Sequence, residues 1–167
     1  MTELIVEGRT WVFPEPNINT DLINPQTVFG KPLREQVKAI FSANRPGWVD
    51  LVREGDILIA GKNFGTGSSR PGAMLFKELG IRAIVAESIN GLFYRNCVNY
   101  ALPALECPGV TNLVCEGDVV RVHFHSGVVE NVTTGESAAG QAVPEFLLGI
   151  VRAGGILPQL REKGYIR

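Results

Sequence analysis

The chain has 167 residues, of which 45% are hydrophobic and 20% are charged, and its formal net charge is −1. This is an ordinary globular composition without the basic surplus that nucleic acid or an anionic membrane surface would favour, and the length suits one domain, which we expect to cover residues 1–167. The apolar runs are only strand-sized and the N-terminus lacks a signal-peptide pattern, so we expect a cytoplasmic protein without a membrane span.

The elements are predicted from hydrophobic periodicity and from turn residues. In chain order they are strand 8–13, helix 34–41, helical turn 48–52, strand 56–60, helix 72–79, strand 82–86, helix 90–100, strand 102–105, a hairpin of strands 118–124 and 128–132, and helix 144–153. Gly80 is the expected C-cap of helix 72–79, and Ser88 is the expected N-cap of helix 90–100. Alternating strands and helices predict an α/β fold with a parallel central sheet, and the hairpin adds flanking antiparallel strands.

The cysteines and histidines do not form a metal-binding pattern. Cys97, Cys107 and Cys115 are separated by ten and eight residues, which is too far for the close pairs of zinc or iron–sulfur sites. Their odd number also argues against a disulfide framework. His123 and His125 alternate with apolar residues, as on the exposed face of a strand. We therefore expect no metal in this chain.

A glycine-rich segment at residues 61–70 lies between a predicted strand and a predicted helix. Its glycines allow tight turns and a close approach of the backbone to a ligand. Ser68 and Ser69 supply hydroxyls near the helix start, and Arg70 supplies a planar guanidinium suited to a carboxylate or a phosphate. A helix N-terminus that follows a glycine turn is favourable for anions. The segment therefore predicts a site for a small anion.

Other functions fit this segment less well. A nucleotide-binding P-loop would end in a glycine, a lysine and a hydroxyl residue, and a dinucleotide fingerprint needs a different glycine spacing. A serine hydrolase would need the nucleophile-elbow pattern and a histidine, whereas both histidines lie in the late hairpin. A capped turn without a ligand is the remaining alternative. The two adjacent hydroxyls followed by Arg70 favour a carboxylate site.

Three more polar side chains are candidate site residues, and each also has a simpler structural interpretation. Asp21 lies in a polar turn, where an Asx turn without a function is the alternative. Lys31 and Arg34 are cations in an irregular segment, where a solvated side chain is the alternative.

Six stretches of the chain together carry a family resemblance. They are residues 17–21, 60–65, 67–70, 79–88, 93–96 and 154–158. Their content and order resemble the small subunit of isopropylmalate isomerase (3-isopropylmalate dehydratase), which is homologous to the swivelling C-terminal domain of aconitase. The stretches span nearly the whole chain.

The resemblance implies a swivelling β/β/α three-layer domain that closes over a large subunit. That partner would carry a [4Fe–4S] cluster whose open iron is a Lewis acid, and the substrate would be a small hydroxy diacid. By resemblance Ser68 is the catalytic base, Asp21 supports the catalytic network, Ser69 binds or orients substrate and Arg70 clamps a substrate carboxylate. Gly67, Lys31 and Arg34 complete the predicted substrate-binding set.

The chain departs from the usual family pattern around these residues. Thr66 stands where relatives usually have cysteine, and Pro71 and Gly72 stand where they have glutamate and histidine. Pro71 is compatible with the first helical position. In the segment after Asp21, Val28 and Phe29 could face an apolar substituent, or Lys31 could meet an extra carboxylate. The expected substrate is isopropylmalate, with citramalate, dimethylmalate or homocitrate-like acids, or a non-catalytic carboxylate-binding module, as alternatives.

Overall fold

The computed structural model describes residues 3–67 and 70–167, so Ser68 and Ser69 lie outside the described residues. The strands are β1 (Ile5–Phe13), β2 (Ile57–Ala60), β3 (Ala83–Ala86), β4 (Ala104–Glu106), β5 (Val119–His123), β6 (Val128–Asn131) and β7 (Ser137–Ala139). The α-helices are α1 (Thr20–Ile23), α2 (Leu33–Lys38), α3 (Gly72–Leu79), α4 (Gly91–Asn99), α5 (Val110–Leu113), α6 (Glu145–Arg152) and α7 (Ile156–Glu162). Short 3₁₀ turns lie at Gln26–Val28 and Trp48–Asp50.

The strands form one mixed sheet in the order β4-β3-β2-β1-β5-β6-β7. Strands β1 to β4 are parallel, with Thr10 opposite Ile57 and Ile57 opposite Ala83. Strand β1 is the junction, since its first half pairs antiparallel with β5, where Val6 lies opposite Val122. The predicted parallel centre with flanking antiparallel strands is confirmed.

The buried residues of the parallel strands divide by alternation between two cores. On β2, Leu58 and Ala60 face a core built with the helices α3 and α4 and with the segment 18–48. Ile57 and Ile59 face the opposite core, which they share with the apolar residues of β5 and β6. Because side chains alternate along a strand, the antiparallel half must curl across the second face of the parallel half. This gives the predicted β/β/α layers.

An aromatic contact holds the segment between β1 and β2 on the helical face. The ring of Phe41 stacks on Phe13 with centroids 4.5 Å apart. Phe41 has a φ of +54° and is fully buried, and its N–H donates to the carbonyl of Leu22 at 2.8 Å. This contact positions α1 beside the carboxyl ends of the strands.

The structure corrects several sequence-based boundaries. The predicted helix 34–41 ends earlier, at Lys38. The N-cap of α4 is Asn90, whose side chain accepts from the N–H of Leu92, whereas the Ser88 hydroxyl accepts from the N–H of Asn63. Ser88 was the wrong cap because its hydroxyl is used by a distant segment.

Four short elements were not predicted: α5, β7, α1 and α7. The first two have four and three residues, which is too short for a periodic pattern. Helix α7 follows the glycine pair that was expected to stop the closing helix, and its Pro158 lies in the first turn, where proline is tolerated.

Candidate active site

The glycine segment runs beside the residues that follow β1. The N–H of Gly65 donates to the carbonyl of Ile18 at 2.8 Å, and the N–H of Thr20 donates to the carbonyl of Thr66 at 2.7 Å. These bonds continue the β1–β2 pairing beyond the ends of both strands. The path of the segment is therefore determined by main-chain atoms up to Thr66.

The same segment is also bonded to the residues that follow β3. The N–H of Phe64 donates to the carbonyl of Ser88 at 3.0 Å, and the N–H of Asn90 donates to the carbonyl of Phe64 at 2.9 Å. Three neighbouring connections thus meet at the carboxyl ends of β1, β2 and β3. In open α/β sheets this edge is where ligands bind.

Two glycines in this segment combine a left-handed backbone with a lack of room for a side chain. At Gly65 the φ is +83°, and an added Cβ would lie 2.3 Å from the Phe93 ring. At Gly67 the φ is +101°, and an added Cβ would lie 2.8 Å from Asn19 Oδ1 and 3.0 Å from Thr20 Oγ1. Glycine tolerates this left-handed backbone, and it lets the polar atoms of α1 and its N-cap approach the backbone at Gly67.

Arg70 is held by three groups from the segment after β1. Its Nη1 contacts the carboxylate of Asp21 and donates to the carbonyl of Asn24 at 2.9 Å. Its guanidinium also lies over the ring of Phe29, 5.1 Å from the centroid. The Arg70 side chain is 15% exposed and that of Asp21 is 63% exposed. The structure thus brings together Arg70 and Asp21, the two described residues predicted to carry the main roles.

A tight turn connects Arg70 to α3. The N–H of Gly72 donates to the carbonyl of Arg70 at 2.7 Å, with Pro71 between them at φ −76° and ψ 49°. These angles are close to an inverse γ-turn, which suits the restricted φ of proline. Pro71 is therefore the N-cap residue rather than the first helical residue. In the first turn of α3, the N–H of Ala73 donates to Asn96 Oδ1 at 3.1 Å.

Lys31 and Arg34 are placed differently from Arg70. Lys31 is exposed, and its carbonyl accepts from Gln36 Nε2 at 2.7 Å. Arg34 lies on α2 and lines a shallow groove with Leu79 of α3. Within the described ranges, neither side chain pairs with Arg70 or Asp21. Their predicted roles would need a ligand that extends beyond the Arg70 region.

Sequence reasoning missed two contributions to this site. Asn24 anchors Arg70 through its main-chain carbonyl, an atom that every residue has and that no motif reveals. Phe29 lies against the Arg70 guanidinium, although the sequence offered it only as a contact for an apolar substituent. Asn24 and Phe29 follow Asp21 on the same short connection. This closeness in the sequence was the available signal that they lie near the site.

The two histidines contact glutamate side chains and are not part of a metal cluster. Among residues 3–67 and 70–167, no group of three or more His, Cys, Asp or Glu is arranged to hold a metal ion. His123 in β5 contacts Glu130 at 2.7 Å, and His125 in the following turn contacts Glu145 at 2.8 Å. Both rings lie on the more exposed side of a segment whose Val122 and Phe124 are buried, although only His123 is within the strand.

The three cysteines are free thiols. Cys97 and Cys107 are buried, and burial raises the pKa of each thiol. Cys115 is exposed. A raised thiol pKa disfavours the thiolate, so the buried pair is suited to packing rather than to nucleophilic or ligand chemistry. None of the helices in the described part of the chain is long and apolar enough to cross a membrane.

The chain is thus a curled mixed sheet with an arginine–aspartate pair at the carboxyl ends of its parallel strands. Comparison with known proteins identifies the class of protein that has this fold. Residues 31–109 match the family model described as the aconitase C-terminal domain. The fold also matches the crystal structure of a 3-isopropylmalate dehydratase from Methanocaldococcus jannaschii. The TM-score is 0.87 at 26% identity, over 97% of this chain and 96% of the other.

Relatives with curated names narrow the class. The isopropylmalate/citramalate isomerase small subunit of M. jannaschii is 43% identical over 162 residues, covering 95% of each chain. A 3-isopropylmalate dehydratase small subunit from Heliobacterium modesticaldum is 37% identical, covering 93% of this chain and 95% of the relative. The chain belongs to the family of 3-isopropylmalate dehydratase small subunits.

Proposed function

We propose that this chain is the small subunit of an aconitase-type hydro-lyase that isomerises 2-isopropylmalate and 3-isopropylmalate, a step of leucine biosynthesis. The observation that carries the proposal is the Arg70 guanidinium, held by Asp21 and by the Asn24 carbonyl at the carboxyl edge of the parallel strands. A guanidinium oriented in this way suits a carboxylate. The names of the relatives supply the substrate.

In the proposed reaction, Arg70 binds one carboxylate of the diacid and orients the carbon next to it. The oxygen of Ser68, as the alkoxide, removes the proton from that carbon, and the C–H electron pair becomes the new C=C bond. The hydroxyl group leaves with the C–O electron pair as hydroxide and takes up a proton from solvent to give water. Main-chain N–H groups of a glycine loop and a nearby guanidinium stabilise an alkoxide. Re-addition of water to the other carbon completes the isomerisation.

The remaining predicted residues would surround this step. Ser69 and Gly67 would contact the substrate through a hydroxyl and the main chain, and Asp21 would keep the guanidinium oriented. Lys31 and Arg34 would meet the outer end of the ligand. Excluding water on closure would strengthen each polar interaction.

A large subunit would complete the enzyme. We propose that it carries the [4Fe–4S] cluster, which when bound supplies a Lewis acid for the leaving hydroxyl. The described residues of this chain offer no cluster-ligand set, which fits a cofactor held by the partner. We further propose that residues 1–167 are one swivelling domain and that the enzyme is cytoplasmic.

Citramalate is the second candidate substrate. The relative with 43% identity is named an isopropylmalate/citramalate isomerase small subunit. Both acids present two carboxylates to a clamp such as Arg70 and differ in their apolar substituent. The partly exposed ring of Phe29 beside Arg70 could meet a substituent of either size.

The test is to co-express the chain with a large subunit from the same genome, reconstitute the cluster and measure dehydration of isopropylmalate, citramalate, dimethylmalate and homocitrate. We expect turnover of isopropylmalate, and activity should be lost in Ser68→Ala while the two subunits still co-purify. Turnover of another of the four acids in place of isopropylmalate would change the proposed substrate and leave the proposed reaction type unchanged. A reconstituted wild-type complex that turns over none of the four acids would contradict the proposed function.

A further inference from the structure

Helix α3 begins at two residues whose own side chains cannot cap it. The N-cap residue, Pro71, has an apolar side chain, and the first helical residue, Gly72, has none. The main-chain N–H groups of a helix start need acceptors from elsewhere. The N–H of Gly72 donates to the Arg70 carbonyl at 2.7 Å. The next N–H, that of Ala73, donates to Asn96 Oδ1 at 3.1 Å, so a side chain of α4 caps the helix that follows Arg70.

The asparagine at position 96 is not explained by the helix that contains it. Asn96 lies inside α4, where its carbonyl accepts from the N–H of Tyr100 at 3.1 Å. Alanine and leucine have higher helix propensities than asparagine, so α4 alone would favour another residue here. The side chain is half-buried, and a polar group at such a position needs a hydrogen-bond partner. The bond from the Ala73 N–H therefore accounts for the asparagine.

The first turn of α3 is packed closely between α1 and α4. A Cβ added to Gly72 would lie 3.0 Å from Ile23 Cγ2 on α1 and 3.1 Å from Phe93 Cε2 on α4. Ile23, Phe93 and Ala73 are all buried. Apolar contacts are non-directional, so they hold the turn without fixing its exact placement. The hydrogen bond to Asn96 supplies the direction, because it depends on the angle between donor and acceptor.

The placement of this turn determines where the Arg70 side chain starts. The Arg70 carbonyl is bound by the N–H of Gly72 within the same tight turn. The Arg70 guanidinium is held by the Asp21 carboxylate and by the Asn24 carbonyl. A main chain displaced by about 1 Å would disturb these contacts, and misplacing a group that orients a ligand by this distance is costly.

We propose that Asn96 is a positioning residue of the substrate site: its side-chain oxygen caps α3 from α4 and so fixes the main chain from which the Arg70 guanidinium reaches a substrate carboxylate. The proposal rests on the proposed function, in which Arg70 binds that carboxylate. It assigns to Asn96 an effect on substrate affinity that is separate from its contribution to folding.

The experiment compares Asn96→Ala and Asn96→Asp in the reconstituted two-subunit enzyme, with kcat, KM and the melting temperature of each. We expect Asn96→Ala to raise KM for the preferred diacid by about 5-fold, within the range of one lost hydrogen bond, with kcat little changed. Its melting temperature should fall by no more than about 4 °C, because alanine favours α4. Asn96→Asp keeps an acceptor oxygen and places a favourable negative charge at a helix start, so its KM should be close to that of the wild type.

Glu87→Ala is the matched control, because it removes the same kind of cap from another helix. The Glu87 carboxylate accepts from the N–H groups of Gly109 and Thr111 at the start of α5, at 2.8 and 3.2 Å. Helix α5 packs through Val110 in the core on the opposite side of the parallel strands from α3. We expect Glu87→Ala to lower the melting temperature by about 2 °C or more with KM unchanged.

The outcomes separate positioning from folding. A wild-type KM in Asn96→Ala would overturn the inference, and so would a KM increase of the same size in Glu87→Ala. An Asn96→Asp variant that behaves like Asn96→Ala, or an Asn96→Ala chain that no longer folds, would also overturn it and leave the proposed function standing. A wild-type complex that turns over none of the diacids would overturn both.

Discussion

The guanidinium of Arg70 and the carboxylate of Asp21 are in contact, although Arg70 is mostly buried and Asp21 faces solvent. The buried partner is the one suited to bind a ligand, because its remaining N–H groups are shielded from competing water. Asp21, on the solvent side, orients the guanidinium of Arg70. Because Asp21 is 63% exposed, water screens the ion pair and weakens its contribution to stability, so we expect both residues to matter more for substrate binding than for folding.

Replacing Arg70 by lysine should separate charge from geometry. Lysine keeps the positive charge but loses the planar fork that binds a carboxylate through two parallel hydrogen bonds. We expect kcat/KM of the reconstituted enzyme to fall by about 100-fold or more, mainly through a higher KM. Steady-state kinetics with the preferred diacid measures this. A variant with wild-type kcat/KM would show that Arg70 does not bind the substrate.

Replacing Asp21 by asparagine should have a smaller effect on the same parameter. The side chain is 63% exposed, so we expect the free energy of unfolding to change by less than about 0.5 kcal/mol. The loosened guanidinium should lower kcat/KM about 10-fold, the range of one charge-assisted hydrogen bond. Urea unfolding of the isolated chain and kinetics of the complex provide the two measurements. A large loss of stability would instead indicate a structural role for Asp21.

The backbone at Gly67 gives a prediction about folding. Gly67→Ala forces an L residue into a φ of +101° and places its Cβ 2.8 Å from Asn19 Oδ1. We expect a loss of about 2 kcal/mol or more in the free energy of unfolding.

Gly91 is the control for this substitution, because nothing lies within 4 Å of an added Cβ there. Gly91→Ala should be neutral or stabilising by up to about 1 kcal/mol, since alanine restricts the unfolded chain. Equal stability of the two variants, measured by urea unfolding, would contradict the strain expected at Gly67.

Acid stability should depend on Asp56, which is far from the candidate site. Burial alone would raise the pKa of Asp56, but hydrogen bonds from Arg9, the Arg53 N–H and Trp11 outweigh burial and hold the pKa below its ordinary value. The Oδ2 atom lies 2.7 Å from both Arg9 Nη2 and Trp11 Nε1. A carboxylate with a depressed folded pKa contributes stability at neutral pH that is lost as the pH falls through that pKa.

Asp56→Asn should therefore cost about 2 kcal/mol at pH 7, the range of hydrogen bonds to a charged group. The difference in urea midpoint between wild type and variant should shrink below about pH 4, where Asp56 begins to be protonated in the unfolded chain. Urea unfolding at several values between pH 7 and pH 3 measures this difference. A difference that stays constant over that range would rule out ionisation of Asp56 as the cause.

The main fold was predictable because its information is local and periodic. The apolar runs that became β2 and β3 and the helix α3 between them carry clear strand and helix patterns. The cap of α4 was not predictable, since Ser88 and Asn90 are both good caps and a contact from Asn63 decides between them. Short elements such as α5 are stabilised by the core around Val110 rather than by their own sequence.

The candidate site was predictable in its glycine segment and its arginine, which lie close together in the chain. The pairing of Arg70 with Asp21 joins distant segments, and the family order of motifs indicated it. The anchoring of Arg70 by the Asn24 carbonyl had no sequence signal, because main-chain atoms do not identify a residue. The capping of α3 by Asn96 likewise joins segments that are brought together only in the folded chain.

The main-chain bonding of the glycine segment has a consequence for how this site can diversify. Thr66 holds its neighbours through its own N–H and carbonyl, whereas its hydroxyl comes no closer than 3.5 Å to the carbonyl of Asn17. A residue that takes part through its backbone can exchange its side chain without redirecting the loop. If relatives carry cysteine here, as the resemblance implies, the threonine changes the side chain on an unchanged scaffold. We therefore expect position 66 to be open to directed evolution of substrate preference.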